Sequence, residues 1–247
     1  MAIYQHDTIV PFKDSKESKK EQVEQMFDKI AFRYDFMNHF LSAGIDVHWR
    51  KKAIKQLKEL KPGLLLDVAT GTGDLAMLAY KMLKPQKIIG IDISGKMLEI
   101  GRQKIEKLGL QQQIELLKGD CETIMYDNDT FDAVTVAFGV RNFQDLEKGL
   151  GEMHRVLKKG GKLVILEFSK PKTPLIRQFY SFYLNHVAPG LGRMISKNKS
   201  AYQYLNDSVQ KFPEGENFVN ILKRLGYKNA SCKKLRLGIS SMYCGEK

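Results

Sequence analysis

An apolar run, Leu64–Ala69, passes directly into Gly71-Thr-Gly73-Asp74, and a segment with helix-spaced apolar residues follows over Asp74–Leu83. A strand that turns into a helix across two glycines is the opening unit of an α/β sheet, because glycine lets the chain reverse tightly and approach a ligand closely. The alternation then repeats. Lys87–Ile93 reads as a strand, Ser94 as the cap of a helix running to about Leu108, and Gly109 as its stop. Ile114–Lys118, Phe131–Phe138 and Lys162–Phe168 read as further strands, with a helix over Leu146–Leu157. This rhythm predicts a Rossmann-like α/β fold, a mainly parallel sheet with helices on both faces. A helix over Glu216–Leu225 and strands near Ala230–Arg236 and Ile239–Cys244, joined at Leu237–Gly238, predict a C-terminal antiparallel hairpin.

The flanks are expected to be different in kind. Residues 1–20 are polar and lysine-rich and read as a flexible arm; residues 21–247 form one domain. Within it, 21–60 carries Val23, Met26, Phe27 and Ile30 at helix spacing, a helical lid. Residues 170–215 break the strand rhythm and are rich in aromatics, which suits a helical insertion over the sheet edge. Three cysteines without metal-ligand spacing point to reduced thiols and no metal site. No apolar run approaches the ~20 residues that span a bilayer, so the expected location is cytoplasmic, peripheral at most at the inner face of the membrane. The formal net charge of +12 admits nucleic acid, an anionic lipid surface or a solvated lysine surface.

Gly71, Gly73 and Ala76 also satisfy the glycine pattern of dinucleotide enzymes, so the acidic residues must decide. Asp67 lies inside the first strand, where a carboxylate would oppose a pyrophosphate but favour a cationic ammonium or sulfonium. Asp92, ending the second strand, can accept hydrogen bonds from two ribose hydroxyls, and Asp120, beside Cys121 after the third, can meet the exocyclic amine of adenine. All fall at the carboxyl ends of strands, where open α/β sheets bind ligands. S-adenosylmethionine fits this set better than NAD. Tyr80 and Lys84 have the Tyr-x-x-x-Lys spacing of some dehydrogenases, but too early in the fold to face a nicotinamide.

Three further segments are more specific. They are Met26-Phe-Asp-Lys-Ile-Ala-Phe-Arg-Tyr-Asp-Phe-Met-Asn38, continuing through Leu41-Ser-Ala-Gly44 to Trp49-Arg-Lys51; Phe138-Gly-Val-Arg-Asn142; and Tyr202-Gln-Tyr-Leu-Asn-Asp-Ser208, leading to Phe212-Pro213. With them the chain after residue 20 resembles the quinone C-methyltransferases that finish menaquinone and ubiquinone biosynthesis. The resemblance implies a class I methyltransferase fold and places donor contacts on Thr72, Asp92, Asp120 and Cys121. It implies methylation of a ring carbon on a prenylated naphthoquinol, demethylmenaquinol, with a polyprenyl methoxy-benzoquinol as the alternative substrate. A homo-oligomer and transient contact with a membrane surface are compatible with it.

Such a transfer needs electron density on the ring carbon, yet a phenol-like hydroxyl of pKa ~10 is seldom ionised at neutral pH. Arg141 and Asn142, just past the fourth strand, are candidates to stabilise the quinolate and orient its hydroxyl, and Asp74 to act as a base through water. His186 is the best-placed histidine, and Phe36, Tyr180, Tyr183 and Tyr202 could line a prenyl channel or simply pack in the core. The turn Ala137–Asn142 lacks the Asp/Asn-Pro-Pro-Tyr/Phe pattern that grips a base amino group, which argues against nucleic acid as substrate.

Overall fold

The computed structural model describes residues 4–41, 44–171, 199–235 and 238–247. Helices α1 (Lys19–Leu41) and α2 (Ile45–Lys55) precede the sheet. Then come β1 (Leu64–Val68), α3 (Asp74–Leu83), β2 (Lys87–Asp92), α4 (Gly95–Lys107), β3 (Ile114–Lys118) and β4 (Phe131–Ala137). A short 3-10 turn over Val140–Asn142 leads to α5 (Leu146–Val156) and β5 (Leu157–Phe168). Helices α6 (Lys199–Lys211) and α7 (Glu216–Arg224) and strands β6 (Lys228–Leu235) and β7 (Ser240–Glu246) complete the described chain. Most of the expected insertion, with His186, Tyr180 and Tyr183, lies outside the described residues, as do the side chains of Phe36 and Tyr202.

The sheet runs β3-β2-β1-β4-β5-β7-β6. The first five strands are parallel to their neighbours; β7 pairs antiparallel with both β5 and β6. The expected C-terminal hairpin forms, with its second strand inserted against β5. Burial explains that order: β7 is almost wholly covered, whereas β6 exposes Lys233 and Lys234, and lysines on an edge strand discourage further pairing. β5 begins at Leu157 rather than Lys162, because Phe131 pairs with Leu157 before a bulge.

Strand alternation distributes the core to both faces. Leu66 and Val68 of β1 face one layer with Leu150, Met153, Phe218 and Leu222 from α5 and α7. Leu65 faces the other with Trp49, Leu75, Ala79 and Leu98 from α2, α3 and α4. Local caps hold the helices in register: Ser94 Oγ accepts from Met97 N at 3.2 Å, and Asp145 Oδ1 from Lys148 N at 3.0 Å.

The N-terminal segment corrects an expectation. Residues 4–18 are not a free arm but dock on the body. Tyr4 Oη meets Glu147 and Arg224, and the fully buried His6 ring packs edge-on against Phe212 at 5.4 Å. Lys19 Nζ donates to the carbonyls of His6 (2.8 Å) and Arg141 (3.4 Å). Lys19 and Lys20, which made the end of this stretch read as solvated, reach Arg141 and Asp120, 122 and 100 residues away along the chain, which local composition does not register.

Candidate active site

The carboxyl ends of β1, β2, β3 and β4 open into a pocket of about 690 Å³, its mouth included. Gly71 lines it after β1, Asp92 and Ile93 after β2, Gly119-Asp-Cys-Glu122 after β3, and Ala137, Phe138, Gly139 and Asn142 after β4. Helix α1 forms the remaining wall with Lys20, Val23, Phe27 and Tyr34. Ser94 Oγ ties that wall down by donating to Asp28 Oδ1 at 2.5 Å, and Lys96 N donates to the same oxygen at 3.2 Å.

Five of the sequence-predicted residues therefore meet at one cavity: Gly71, Asp92, Asp120, Cys121 and Asn142. At Gly71 φ is +57°, and a Cβ there would touch nothing within 4 Å, so the space above its backbone is free for a ligand. Asp92 shapes this turn directly. Its Oδ2 accepts from Gly71 N and its Oδ1 from Ser94 N, both at 2.8 Å. Each oxygen keeps a lone pair for the cavity. Burial pushes the Asp92 carboxyl up to about 6 against the lowering effect of those two N–H groups. Asp120 Oδ1 accepts from Glu122 N at 2.9 Å, and its Oδ2 pairs with Lys20 at 2.5 Å. Burial and the flanking Asp120 and Glu122 carboxylates raise the Cys121 thiol, which stays protonated and serves as a wall rather than a nucleophile.

The other five stand behind the cavity wall. Asp67 is buried with Oδ2 accepting from Thr70 and Oδ1 from Thr135 hydroxyls, both at 2.7 Å. It anchors the turn from within the sheet and is not among the residues that line the cavity. Thr72, expected as a donor contact, points toward α4, where its Oγ1 accepts from Lys104 Nζ at 3.2 Å. Gly73, with φ +78°, serves as the cap of α3. Asp74 is bridged by Lys104 on one oxygen and by Arg50 at 3.4 Å on the other. This network ties α2, α3 and α4 together, so Asp74 is not placed as the expected base. Arg141 is buried, with Nη1 on Glu167 Oε1 at 2.9 Å and its guanidinium over the Phe168 ring at 5.4 Å. Its charge is matched inside the protein instead of facing the pocket. Lys84 Nζ lies 4.7 Å from the Tyr80 ring centroid, which accounts for that pair as a local contact on α3.

Lys20, Glu122, Phe27 and Tyr34 are site residues that sequence reasoning missed. Phe27 and Tyr34 lie within the first of the specific segments, and that was the available signal. Lys20 and Glu122 had none, since their value comes from contacts across the fold.

The residues present fit S-adenosylmethionine. Asp92 offers open lone pairs to ribose hydroxyls, Asp120 offers an acceptor to an adenine amine, and Ile91, Ile93 and Met97 supply apolar contact for a flat ring. The 3-2-1-4-5-7-6 sheet, with β7 reversed and an acid-lined cavity at its carboxyl edge, sets this chain among the S-adenosylmethionine-dependent methyltransferases of class I. Solved structures agree on the fold. A SAM-dependent methyltransferase from Thermotoga maritima superposes with a TM-score of 0.61 at 20% identity, over 90% of this chain and 98% of that one. Another, from Aquifex aeolicus, gives 0.57 at 21% identity over 79% and 88%. Residues 14–247 match the ubiE/COQ5 methyltransferase family, and the chain belongs to that family. Its relatives include a demethylmenaquinone methyltransferase of Bacteroides fragilis, 47% identical over 99% of both chains. The ubiquinone/menaquinone biosynthesis C-methyltransferase UbiE of Geotalea daltonii is 46% identical over 93% of this chain and 97% of the relative.

Proposed function

We propose that this chain moves a methyl group from S-adenosylmethionine to a ring carbon of a prenylated naphthoquinol, turning demethylmenaquinol into menaquinol. The observation that carries this reading is the aromatic part of the cavity wall. Phe27, Tyr34, Phe138 and Phe143 form it, and the Asn142 Oδ1 set in it has no hydrogen-bond partner. A flat apolar ring bearing a hydroxyl is what such a wall would receive, since an unpaired buried acceptor is costly until a donor meets it.

S-adenosylmethionine, when bound, supplies an electrophilic methyl on a cationic sulfonium. The protein's part is orientation and exclusion of water. Asn142 Oδ1 accepts the quinol hydroxyl's hydrogen bond and turns the ring so that the carbon ortho to it faces the donor. Asp92 and Asp120 hold the donor's polar end. Phe27, Phe138 and Phe143 keep water out, which would favour joining the electron-rich ring carbon to the methyl as the positive charge on sulfur is lost, with the displaced ring proton passing to solvent.

The test is a methylation assay with labelled donor on prenylated demethylnaphthoquinol and, in parallel, on a polyprenyl methoxy-benzoquinol. Turnover of the naphthoquinol at least tenfold faster is expected. A preference for the benzoquinol would move the chain to ubiquinone biosynthesis, the second reading that the name of the Geotalea relative supports. Label in neither quinol would sink the proposal.

A lipid substrate also suggests how the protein meets it. No helix among the described residues is long and apolar enough to cross a membrane. Phe32 on α1 is 93% exposed, between the basic Lys29 and Arg33 and two positions from the pocket residue Tyr34. We take the protein to work in the cytoplasm and to touch the membrane surface transiently through this face. Co-sedimentation with vesicles is expected to rise with anionic lipid content, to fall as salt is raised, and to weaken in Phe32→Ala. Equal binding to neutral and anionic vesicles would remove the electrostatic part.

A further inference from the structure

A single acidic residue, Glu167, interrupts the apolar run Leu163-Val-Ile-Leu-Glu-Phe168 of β5, and it is fully buried. Burying a carboxylate is unfavourable unless it is paired and hydrogen-bonded. Glu167 is both. Its Oε1 accepts from Arg141 Nη1 at 2.9 Å and from Phe168 N at 2.8 Å, and its Oε2 accepts from Arg141 N at 3.3 Å. It therefore grips one residue of the turn after β4 by side chain and backbone together. Arg141 passes the hold on, since the same Nη1 also donates to the Phe138 carbonyl.

The turn needs that hold. Phe138 has φ +60°, in the left-handed region that L side chains rarely adopt, and so does Ala69 (φ +51°) in the facing donor loop. The two loops touch at Gly139, where a Cβ would come within 2.6 Å of Ala69 Cβ. Phe138 stacks on Phe168 with ring centroids 4.5 Å apart, and Phe168 lies beneath the Arg141 guanidinium. The strained turn is thus clamped from one side by Glu167 and pressed from the other by the donor loop. Its products are the two side chains that the pocket uses, Phe138 and Asn142.

We propose that Glu167 is a positioning residue for methyl transfer: through Arg141 it holds the 138–142 turn in the conformation that sets Asn142 and Phe138 against the substrate ring. This rests on the substrate reading above. The hydrogen bonds of the Glu167 carboxylate go to Arg141 and Phe168, so its loss acts first on the substrate wall and reaches the donor loop only through the Gly139–Ala69 contact. In Glu167→Gln the amide oxygen can stay on Arg141 Nη1 and Phe168 N only by turning the NH2 against the Arg141 backbone N–H, and the charge that matches the guanidinium is gone, so the grip on the turn loosens.

The experiment has a reporter that needs no substrate. Trp49 is the sole tryptophan, and its ring centroid lies 6.4 Å from that of Phe138. Glu167→Gln is compared with the native protein in Trp49 emission, in donor affinity and stoichiometry by calorimetry, and in single-turnover methylation per donor site. Expected are a changed emission, a donor Kd within about threefold of native, and methylation at least tenfold slower. Counting donor sites removes any unfolded fraction from the comparison. Should Glu167→Gln not fold, the double variant Arg141→Met/Glu167→Met carries the test, because an apolar pair of similar length removes the buried charges together; it too should bind donor and methylate slowly. Native turnover in either variant overturns the proposal. So does slow turnover with native Trp49 emission, or a donor affinity that falls in step with the rate. A native protein inactive on the quinol indicts the substrate reading alone; native-like emission in Glu167→Gln would still overturn the role given to Glu167.

Discussion

Arg141→Ala is expected to lower the free energy of unfolding by about 3–5 kcal/mol, the scale for stranding one half of a buried ion pair. The remaining Glu167 would keep only the N–H groups of Phe168 and residue 141, with no positive charge beside it. Against a typical total of about 5–15 kcal/mol, that loss brings the protein close to unfolding at physiological temperature. Urea denaturation followed by Trp49 fluorescence measures it. The Arg141→Met/Glu167→Met pair should recover most of the deficit, because it removes the unmatched charge along with its partner. A deficit under about 1 kcal/mol in Arg141→Ala would mean that water reaches Glu167 and that the pair is not the clamp described.

Asp92→Ala should weaken donor binding by about 2–3 kcal/mol, roughly 30- to 150-fold, through lost hydrogen bonds to a charged acceptor. Part of the effect is indirect, since Asp92 also holds Gly71 N and Ser94 N and the glycine turn would loosen. The same carboxylate sets a pH dependence. Burial raises Asp92 to about 6, so lowering the pH through 6 protonates it and withdraws an acceptor from the ribose. Donor affinity should fall from pH 7.5 to pH 5 in the native protein and stay nearly flat in Asp92→Asn. Stability runs the other way. With a folded pKa above the ordinary carboxylate value, the folded state binds the extra proton between about pH 4 and 6, so the contribution of Asp92 to stability declines as pH rises through that window. Asp67, raised to about 6 for the same reason, acts in the same direction. Calorimetric titrations at several pH values, set beside urea midpoints at the same values, separate the two trends. A native donor affinity that does not change between pH 7.5 and pH 5 would remove Asp92 from the ribose.

The elements around the site were legible because their signals are local. A strand ending in Gly71-Thr-Gly73 and helices capped by Ser94 and Asp145 depend on neighbours a few residues away, and each formed close to its expected bounds. The donor end was legible for a related reason, as residues at successive strand ends of a parallel sheet arrive at one edge. What remained hidden is the direction a side chain takes once there. Asp67 and Asp92 both sit in strands beside the glycine turn. The Asp67 carboxylate is consumed by Thr70 and Thr135, while Asp92 keeps its access to the cavity. Asp74 and Arg141 were expected at the chemistry because they are charged and close in sequence to the turns. Lys104 and Arg50 claim the first, and Glu167 claims the second.

By itself, then, the sequence determined the sheet, its glycine turn, the acidic edge that suits a cationic donor, and the family. The sheet, the turn and the acidic edge follow from periodicity and from residue types at fixed spacing, which any parallel α/β sheet converts into position; the family follows from the resemblance that the three longer segments carry. The tertiary structure alone decided that residues 4–20 dock instead of drifting, that α1 brings Lys20 and Phe27 to the cavity, and that Asn142 rather than Arg141 faces it. The physical reason is that a buried charge takes the partner packing offers it. Lys19, Lys20 and Arg141 find theirs on elements 13 to 122 residues away, at distances no local pattern encodes.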